Sequence, residues 1–100
     1  MSNYILTNKA LDDLSEIWNY TVENWSELQA DRYYFELIND CRLLAENKIS
    51  GRKYIEIIEG IYGFKSGQHL IFYRRNNDNE IEIIRFLHSK MDLKKEFKKK

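Results

Sequence analysis

The chain has 100 residues, of which 43% are apolar or aromatic and 32% are charged. A chain of this length builds one modest core, and charges spread along it exclude a disordered tail and a membrane-spanning protein. We therefore expect one domain over residues 1–100, with a lysine-rich tail from about residue 90. No signal-peptide pattern opens the chain, which favours a cytoplasmic protein. The single cysteine, Cys41, excludes an internal disulfide and a Cys-rich zinc site.

The net charge is zero, but the two halves of the chain differ. Residues 1–49 hold 4 Lys or Arg against 9 Asp or Glu, a net charge of −5. Residues 50–100 hold 12 against 7, a net charge of +5. This asymmetry favours charged, polarised partners over a uniform coat of nucleic acid. The lysine-rich end is interpreted either as a solvated tail or as part of a charged contact surface.

Two helices are predicted after a short strand at residues 4–7. The first runs from residue 8 or 9 to about 25, with Thr7 or Asn8 as its N-cap. A capping box, Ser26 with Gln29, opens the second helix, which is expected to run to about residue 47. Apolar residues follow helical spacing in both segments. Because almost nothing separates the helices, they are expected to form an antiparallel hairpin.

The remainder of the chain is typical of strands. Strands are predicted over residues 54–58 and 61–65, as one bent strand or as two, and over residues 69–75 and 80–88, which the turn residues 76–79 join into a hairpin. The order β-α-α-β-β-β predicts an α+β fold, in which an antiparallel helical hairpin packs on one face of a small twisted antiparallel sheet. Bulky apolar residues occur on both faces of the last two strands. The second face is therefore expected to be covered, by the C-terminal segment or by a partner.

Several segments, taken in order, resemble the ParE toxins of the RelE/ParE toxin–antitoxin superfamily. They are DDLSEIWNYTVENW at 12–25, QADRYYFEL at 29–37, LAENKISGRKY at 44–54, GQHLIFYRR at 67–75 and IEIIRFLHSKMD at 81–92. The closing pattern of Ile84, Arg85, Leu87, His88, Met91 and Asp92 is similar to that of ParE in particular. The chain departs from the family in lacking a basic residue at Tyr62–Gly63, where the closest cation is Lys65, and in its neutral net charge.

The resemblance implies a toxin that inhibits DNA gyrase by direct binding and is neutralised by a ParD-like antitoxin. The resemblance implies that the protein needs no cofactor and has no catalytic residues. The two histidines and the cysteine show no metal-ligand spacing. No nucleic-acid specificity and no membrane contact are expected. A monomer and a homodimer both stay open.

The residues expected to face the target are the cations and the histidine of the basic half: Arg52, Lys65, Arg74, Arg75, Arg85 and His88. Those expected to bind the antitoxin are aromatic residues of the hairpin: Trp18, Tyr20, Trp25 and Tyr34. Arg85 lies among apolar neighbours and is expected to pair within the fold, with an acid such as Glu56 or Asp92.

The alternative function is a RelE- or YoeB-like ribosome-dependent mRNA endonuclease, since that class shares the fold. RNA cleavage needs an acid, a base and cations, for which His88, Arg85 and Arg52 are the candidates. A tyrosine near the C-terminus is typical of such relatives, and none follows Tyr73. A helix-turn-helix DNA binder is disfavoured, because the second helix is acidic and would repel phosphates.

Overall fold

Five strands and three helices form from residues 3–55 and 58–98, the part of the chain that this computed structural model describes. In chain order they are β1 (Asn3–Leu6), α1 (Asn8–Asn24), α2 (Glu27–Ala45), β2 (Arg52–Lys53), β3 (Tyr62–Ser66), β4 (His69–Asn77), β5 (Glu80–His88) and α3 (Leu93–Lys98). The sheet order is β1-β5-β4-β3-β2.

Side-chain caps fix the start of both long helices. The Thr7 hydroxyl accepts a hydrogen bond from the Ala10 N–H at 3.0 Å, and the Ser26 hydroxyl accepts one from the Gln29 N–H, also at 3.0 Å. Each bond satisfies a backbone N–H that the first helical turn would otherwise leave unpaired. The predicted caps and the hairpin are therefore confirmed. The second helix ends at Ala45, two residues earlier than expected.

The sheet is mixed, whereas an antiparallel sheet was predicted. β3, β4 and β5 pair antiparallel as expected, but β1 runs parallel to β5, with Tyr4 opposite Ile81 and Leu6 opposite Ile83. The direction of β1 follows from the helical hairpin, which starts one residue after the strand and returns the chain to the far edge of the sheet. Alternation within a four-residue strand carries no information about its direction.

The strand predicted at residues 54–58 is wrong for the residues that the structure describes there. Ile55 lies in a turn, and only the preceding Arg52 and Lys53 pair with β3. Tyr54 turns its ring into the protein, where it packs edge-on against Phe72 at a centroid distance of 5.1 Å. Residues 56 and 57 lie outside the described residues. Of the described residues in this run, Tyr54 therefore packs in the protein interior, whereas Ile55 and Ile58 are exposed.

Both faces of the sheet are covered. On the helix side, Leu37, Leu44, Ile71 and other apolar residues of the two layers form the main core. A smaller cluster of Tyr54, Ile61, Leu70, Phe72 and Leu87 lies on the opposite side, which we call the second face.

Leu93 and Phe97 of α3 pack on the second face, and the rings of Phe97 and Phe72 are 5.0 Å apart between centroids. The second face was expected to be covered by the C-terminal segment or by a partner, and the C-terminal segment covers it. Residues 93–98 are accordingly a docked helix, and the interpretation of this segment as a solvated tail is wrong. Leu93 and Phe97 are four residues apart, so both lie on the side of α3 that faces the sheet. Residues 99 and 100 lie outside the described residues.

Candidate binding surfaces

Cations surround the apolar cluster on the second face. Strand register places Arg52 opposite Gly63, Lys65 opposite Leu70, and Arg74 opposite Glu82. Residues directly opposite one another in a sheet share a face, so these three cations lie on the same side as Leu70 and Phe72. The structure thus brings Arg52, Lys65 and Arg74 to one surface, which is necessary if these residues are to contact the same target.

These cations are held by neighbours of different kinds. The Arg52 guanidinium lies over the Tyr54 ring, 3.9 Å from its centroid, and its Nη1 donates to the Lys53 carbonyl at 3.3 Å. Arg74 Nε donates to Glu82 at 3.1 Å in an exposed pair. Exposed pairs of this kind exchange readily with a partner's carboxylates because they contribute little to stability.

Arg85 is held within the fold by Asp13. Its Nε and Nη2 donate to the two carboxylate oxygens at 2.7 and 2.9 Å, and Asp13 Oδ2 also accepts from the Phe86 N–H at 3.0 Å. The hydrogen bonds to Asp13 raise the pKa of Arg85 above its usual value, and Glu96 lies 4.0 Å away. The expectation that Arg85 pairs within the fold is confirmed. Of the expected partners, Asp92 instead caps α3 through the Lys95 N–H at 3.2 Å, and Glu56 lies outside the described residues.

Arg75 lies on the helix side of the sheet and not with the other target-facing candidates. Its Nη2 donates to Asn47 Oδ1 at 2.9 Å and to the Leu44 carbonyl at 3.4 Å. A cation at this position satisfies a carbonyl of the last turn of α2 and complements the negative end of the helix dipole.

His88 also lies on the helix side, opposite His69, with the two ring centroids 5.4 Å apart. The Tyr33 hydroxyl lies 2.7 Å from His69 Nδ1 and accepts from the Gln68 N–H at 2.9 Å. Burial, followed by repulsion from His88, lowers the pKa of His69 to about 4, so this imidazole is neutral at physiological pH. The Lys90 N–H donates to His88 Nδ1 at 3.2 Å.

The three residues named for a nuclease do not form one site. Arg52, Gly63, Phe72 and Arg85 occupy one row across four strands. Arg52 and Arg85 are therefore about 14 Å apart, the width of three strand spacings. Arg85 and His88 line one groove beside α1, but Arg52 on the second face does not reach it. Catalysis of phosphodiester cleavage needs its acid, base and cations around a single phosphate.

The four aromatic residues expected to bind an antitoxin are divided between two grooves. Tyr20 and Trp25 line the first, the edge groove, of about 520 Å³ between the hairpin turn and the ends of β4 and β5. Its other lining residues include Gln29, Tyr33, His69 and His88. Tyr20 and Trp25 are 64% and 75% exposed, far more than large aromatic residues in a core.

Trp18 and Tyr34 line the second, the hairpin groove, of about 450 Å³ between α1 and α2 on the solvent side. Trp18 Nε1 donates to Asp31 across the groove at 3.0 Å. Phe35 also lines this groove, and Leu28 and Phe35 line an adjoining depression. The sequence interpretation did not select these two residues. Their spacing of seven, offset from the buried stripe of Ala30, Leu37 and Leu44, was the available signal.

Within the described part of the chain, no group of three or more His, Cys, Asp or Glu side chains is arranged to hold a metal ion. No described helix is both long and apolar enough to cross a bilayer. The fold and surfaces define a small α+β protein in which a helical hairpin lies on one face of a five-stranded mixed sheet.

Comparison with known proteins identifies the family. Residues 4–93 match the family described as ParE toxin of type II toxin–antitoxin system, parDE. The chain is 36% identical to Toxin ParE1 of Mycobacterium tuberculosis over 92 residues, which is 92% of this chain and 94% of the relative. It is 35% identical to Toxin ParE1 of Caulobacter vibrioides, again over 92% of this chain and 94% of the relative. The chain belongs to the ParE toxin family of type II toxin–antitoxin systems.

A solved structure shares the fold. It is described as a chromosomal ParDE TA system from P. aeruginosa and superposes with a TM-score of 0.74, covering 88% of this chain and 96% of the other. The sequence identity is 20%, so the likeness concerns the fold alone. The resemblance to ParE deduced from the sequence is confirmed.

Proposed function

We propose that this toxin binds DNA gyrase in the cytoplasm, blocks supercoiling without chemical turnover, and is neutralised by a ParD-like antitoxin. The observation that carries the proposal is the match to the ParE family over residues 4–93, nearly the whole chain. Binding to a large partner needs an exposed, charged and aromatic surface rather than a catalytic cluster.

The second face is the proposed gyrase-binding surface. Arg52, Lys65 and Arg74 lie there around the apolar cluster. Lys95 of α3, two residues before Phe97 in the sequence, is also exposed. Arg75 and Arg85 hold the fold through their own hydrogen bonds, which leaves them less able to contact the target. The basic second face therefore favours an acidic patch on the target.

The edge groove is the proposed antitoxin site. Two large, exposed aromatic side chains, Tyr20 and Trp25, stand over a concave surface. Aromatic residues supply most of the binding energy where an extended or helical segment docks. Among the six residues named above as its lining, none is Asp, Glu, Lys or Arg, so docking there depends mainly on apolar contact and hydrogen bonds.

The gyrase proposal is tested by supercoiling of relaxed plasmid with purified gyrase. We expect the wild-type toxin to stop supercoiling, and the double variant Arg52→Ala/Lys65→Ala to need at least about tenfold more protein. Arg32→Ala removes an exposed cation from the helix layer and serves as the matched control. If the wild-type toxin leaves supercoiling unchanged but cleaves mRNA on programmed ribosomes, the nuclease alternative replaces this proposal.

The antitoxin site is tested by calorimetry with the antitoxin encoded beside this toxin. Truncation of Tyr20 or Trp25 to alanine should weaken binding about tenfold or more, as expected for a central aromatic contact. Ile55, 65% exposed and outside both grooves, gives a matched control as Ile55→Ala. Unchanged affinity for the Tyr20→Ala/Trp25→Ala double variant would exclude the edge groove as the antitoxin site.

A further inference from the structure

We propose that His69 and His88, the two histidines of the chain, together bind a divalent zinc ion. Local sequence spacing does not predict this site, because the two residues come together only through the pairing of β4 with β5. The site lies on the helix side of the sheet, away from the second face. The inference therefore goes beyond the proposed function and does not depend on the target being gyrase.

Strand pairing brings the two side chains close together. His69 on β4 is directly opposite His88 on β5, and beside this pair the Ser89 N–H donates to the Gln68 carbonyl at 2.9 Å. In an antiparallel ladder, this pattern marks a pair whose own backbone groups are not bonded to each other. Side chains approach most closely in pairs of this kind. The two imidazoles therefore start from neighbouring positions on one face of the sheet.

The separation of the two rings suits a shared ion. Their centroids are 5.4 Å apart, and their planes are inclined at 76° to each other. Two imidazoles on one tetrahedral zinc ion, with Zn–N bonds of about 2.0–2.1 Å, have centroids roughly 5 Å apart. The rings are thus already at the separation that zinc needs, and rotation of the side chains can direct one nitrogen of each toward the ion.

Hydrogen bonds around His69 determine which of its ring nitrogens is free. The Tyr33 hydroxyl donates to the Ser66 carbonyl at 3.3 Å and accepts from the Gln68 N–H at 2.9 Å. Because its single proton is used in this way, the hydroxyl oxygen, 2.7 Å from Nδ1, accepts from the Nδ1–H of His69. The Nε2 atom then carries the free electron pair. Histidine ligands of metals normally donate their other ring N–H to an oxygen in the same manner.

His88 supplies the second nitrogen at a small cost. Its Nδ1 accepts a long, exposed hydrogen bond from the Lys90 N–H, at 3.2 Å. When this bond is given up, the ring can turn a free nitrogen toward the ion, and water can hydrate the exposed Lys90 N–H instead. The exchange costs about as much as one ordinary hydrogen bond, on the order of 1 kcal/mol.

Two grooves give a metal ion access to the histidine pair. The edge groove and a groove of about 430 Å³ beside α1 are both lined by His69 and His88. Glu16 and Asp13 also line the groove beside α1, together with Arg85, which is paired with Asp13. Water in these grooves can complete the coordination of the ion.

The charge of the adjoining helices favours a cation at this position. Residues 8–45, from the start of α1 to the end of α2, hold 8 Asp or Glu against 3 Lys or Arg, a net charge of −5. Such a layer lowers the electrostatic energy of a cation in the grooves beside it.

The ligand type favours zinc among the common divalent ions. Imidazole nitrogen binds zinc well, whereas magnesium and calcium prefer oxygen ligands. Cys41, the other strong zinc ligand of the chain, is fully buried in the core and cannot compete. A structural zinc site has four protein ligands, so a site with two should bind zinc reversibly and release it to a chelator.

The test is isothermal titration calorimetry of the untagged toxin with zinc chloride. We expect saturable binding of one zinc ion per chain and no saturable binding of magnesium. In proton NMR spectra, the ring resonances of both histidines should shift together as zinc is added. EDTA should reverse these shifts.

Variants then locate the binding. His69→Gln and His88→Gln should each weaken zinc binding at least about tenfold, as expected when a ligand is lost. Tyr33→Phe keeps both ligands but removes the oxygen that accepts from His69 Nδ1–H, and it should weaken binding about tenfold. Trp25→Phe is the matched control, because Trp25 lines the edge groove but its indole N–H is a donor only. Its zinc affinity should equal that of the wild type.

Circular dichroism melting checks that each variant stays folded. If His69→Gln does not fold, His88→Gln still tests the site, because the ring that it removes makes an exposed hydrogen bond. Three results would overturn the inference. They are no saturable zinc binding by the wild type, wild-type affinity in His88→Gln, and one zinc ion per two chains in a zinc-dependent dimer seen by sedimentation equilibrium. The last result would place the two ligands on different chains.

Discussion

At the scale of single residues, Asp13 joins α1 to β5. Its carboxylate binds Arg85 through two hydrogen bonds and accepts a third from the Phe86 N–H. Phe86 lies beyond residues 80–83, the part of β5 that pairs with β1. Asp13→Ala would leave a largely buried guanidinium and a backbone N–H without this acceptor. Removing one partner of a buried pair costs about 3–5 kcal/mol. We expect a loss of about 3 kcal/mol in the free energy of unfolding, measured with urea.

An exposed ion pair provides the control for Asp13. Arg74 and Glu82 pair at 3.1 Å on the second face, and Arg74→Ala should change the free energy of unfolding by less than about 1 kcal/mol. Equal losses for the two variants would show that the Asp13 carboxylate does not bridge α1 and β5 in solution. Asp13 lies within the first predicted helix, but its pairing with a residue 72 positions away cannot be deduced from local spacing.

His69 makes stability depend on pH. Its pKa falls from about 6.5 to about 4 in the folded protein, because the ring is buried beside Tyr33 and faces His88. Between these two pH values, this histidine binds a proton in the unfolded chain but not in the folded chain. The free energy of unfolding should therefore fall as pH drops from about 6.5 to about 4. In His69→Gln this contribution is absent. Urea unfolding at neutral pH and near pH 4.5 should show a smaller pH-dependent loss for the variant than for the wild type.

His88→Gln is the control for the histidine prediction, since it keeps His69 in place. That variant removes the repulsive neighbour, which is the second cause of the lowered pKa, while the burial of His69 persists. Its pH-dependent loss of stability should therefore stay closer to the wild type than to His69→Gln. The same pH dependence in all three proteins would mean that carboxylates alone produce it.

At the scale of elements, α3 depends on a few side chains for its position. Phe97 and Leu93 pack on the second face, and Asp92 caps the helix through the Lys95 N–H. A six-residue helix is not stable by itself, so this packing must hold it. Phe97→Ala should cost about 2 kcal/mol of unfolding free energy, less than the 3–5 kcal/mol of a fully buried phenylalanine.

Lys95→Ala tests the same helix without touching the contact. Its side chain is exposed, and the variant should lie within about 0.5 kcal/mol of the wild type in urea unfolding. Wild-type stability in Phe97→Ala would contradict the docking of α3 on the second face.

Elements with long periodic patterns were predictable from the sequence, whereas β2, α3 and the direction of β1 were not. The two hairpin helices and β5 have strong apolar periodicity and recognisable caps or turns, and their predicted bounds agree with the structure within two residues. The two-residue β2, the parallel β1 and the six-residue α3 are fixed by long-range contacts. Tyr54 is of a residue type common in strands, but here it lies outside a strand and packs against Phe72. Propensity is a weak guide wherever tertiary contacts decide the conformation.

The same distinction applies to the candidate surfaces. Residue type and the charge of each half of the chain indicated which cations and aromatic residues could contact a partner. Only the strand register of the structure shows that Arg52, Lys65 and Arg74 share one face. The sequence could not separate Trp18 from Trp25, because both follow one helical stripe. Trp25 follows the last helical residue of α1, and its non-helical backbone, with φ −135° and ψ −87°, directs the side chain to the edge groove.

At the scale of the whole molecule, charge is sorted by layer. The helix layer has a net charge of −5 over residues 8–45, whereas Arg52, Lys65 and Arg74 make the second face basic. The edge groove lies at one end of the sheet, and the residues named as its lining carry no permanently charged side chain. The three surfaces are therefore suited to partners of different charge, and binding at each should respond differently to salt.

This difference gives the last prediction. Salt screens exposed charges beyond about 10 Å at 0.1 M, so binding of the toxin to immobilised gyrase should weaken severalfold between about 0.05 and 0.3 M NaCl, mainly through slower association. Antitoxin binding in the edge groove should change less, because apolar burial there is not screened. Arg52→Ala/Lys65→Ala toxin should show a shallower salt dependence on gyrase, and Arg32→Ala should keep the wild-type slope. Equal slopes for the wild type and the double variant would mean that the second face does not steer the toxin to its target.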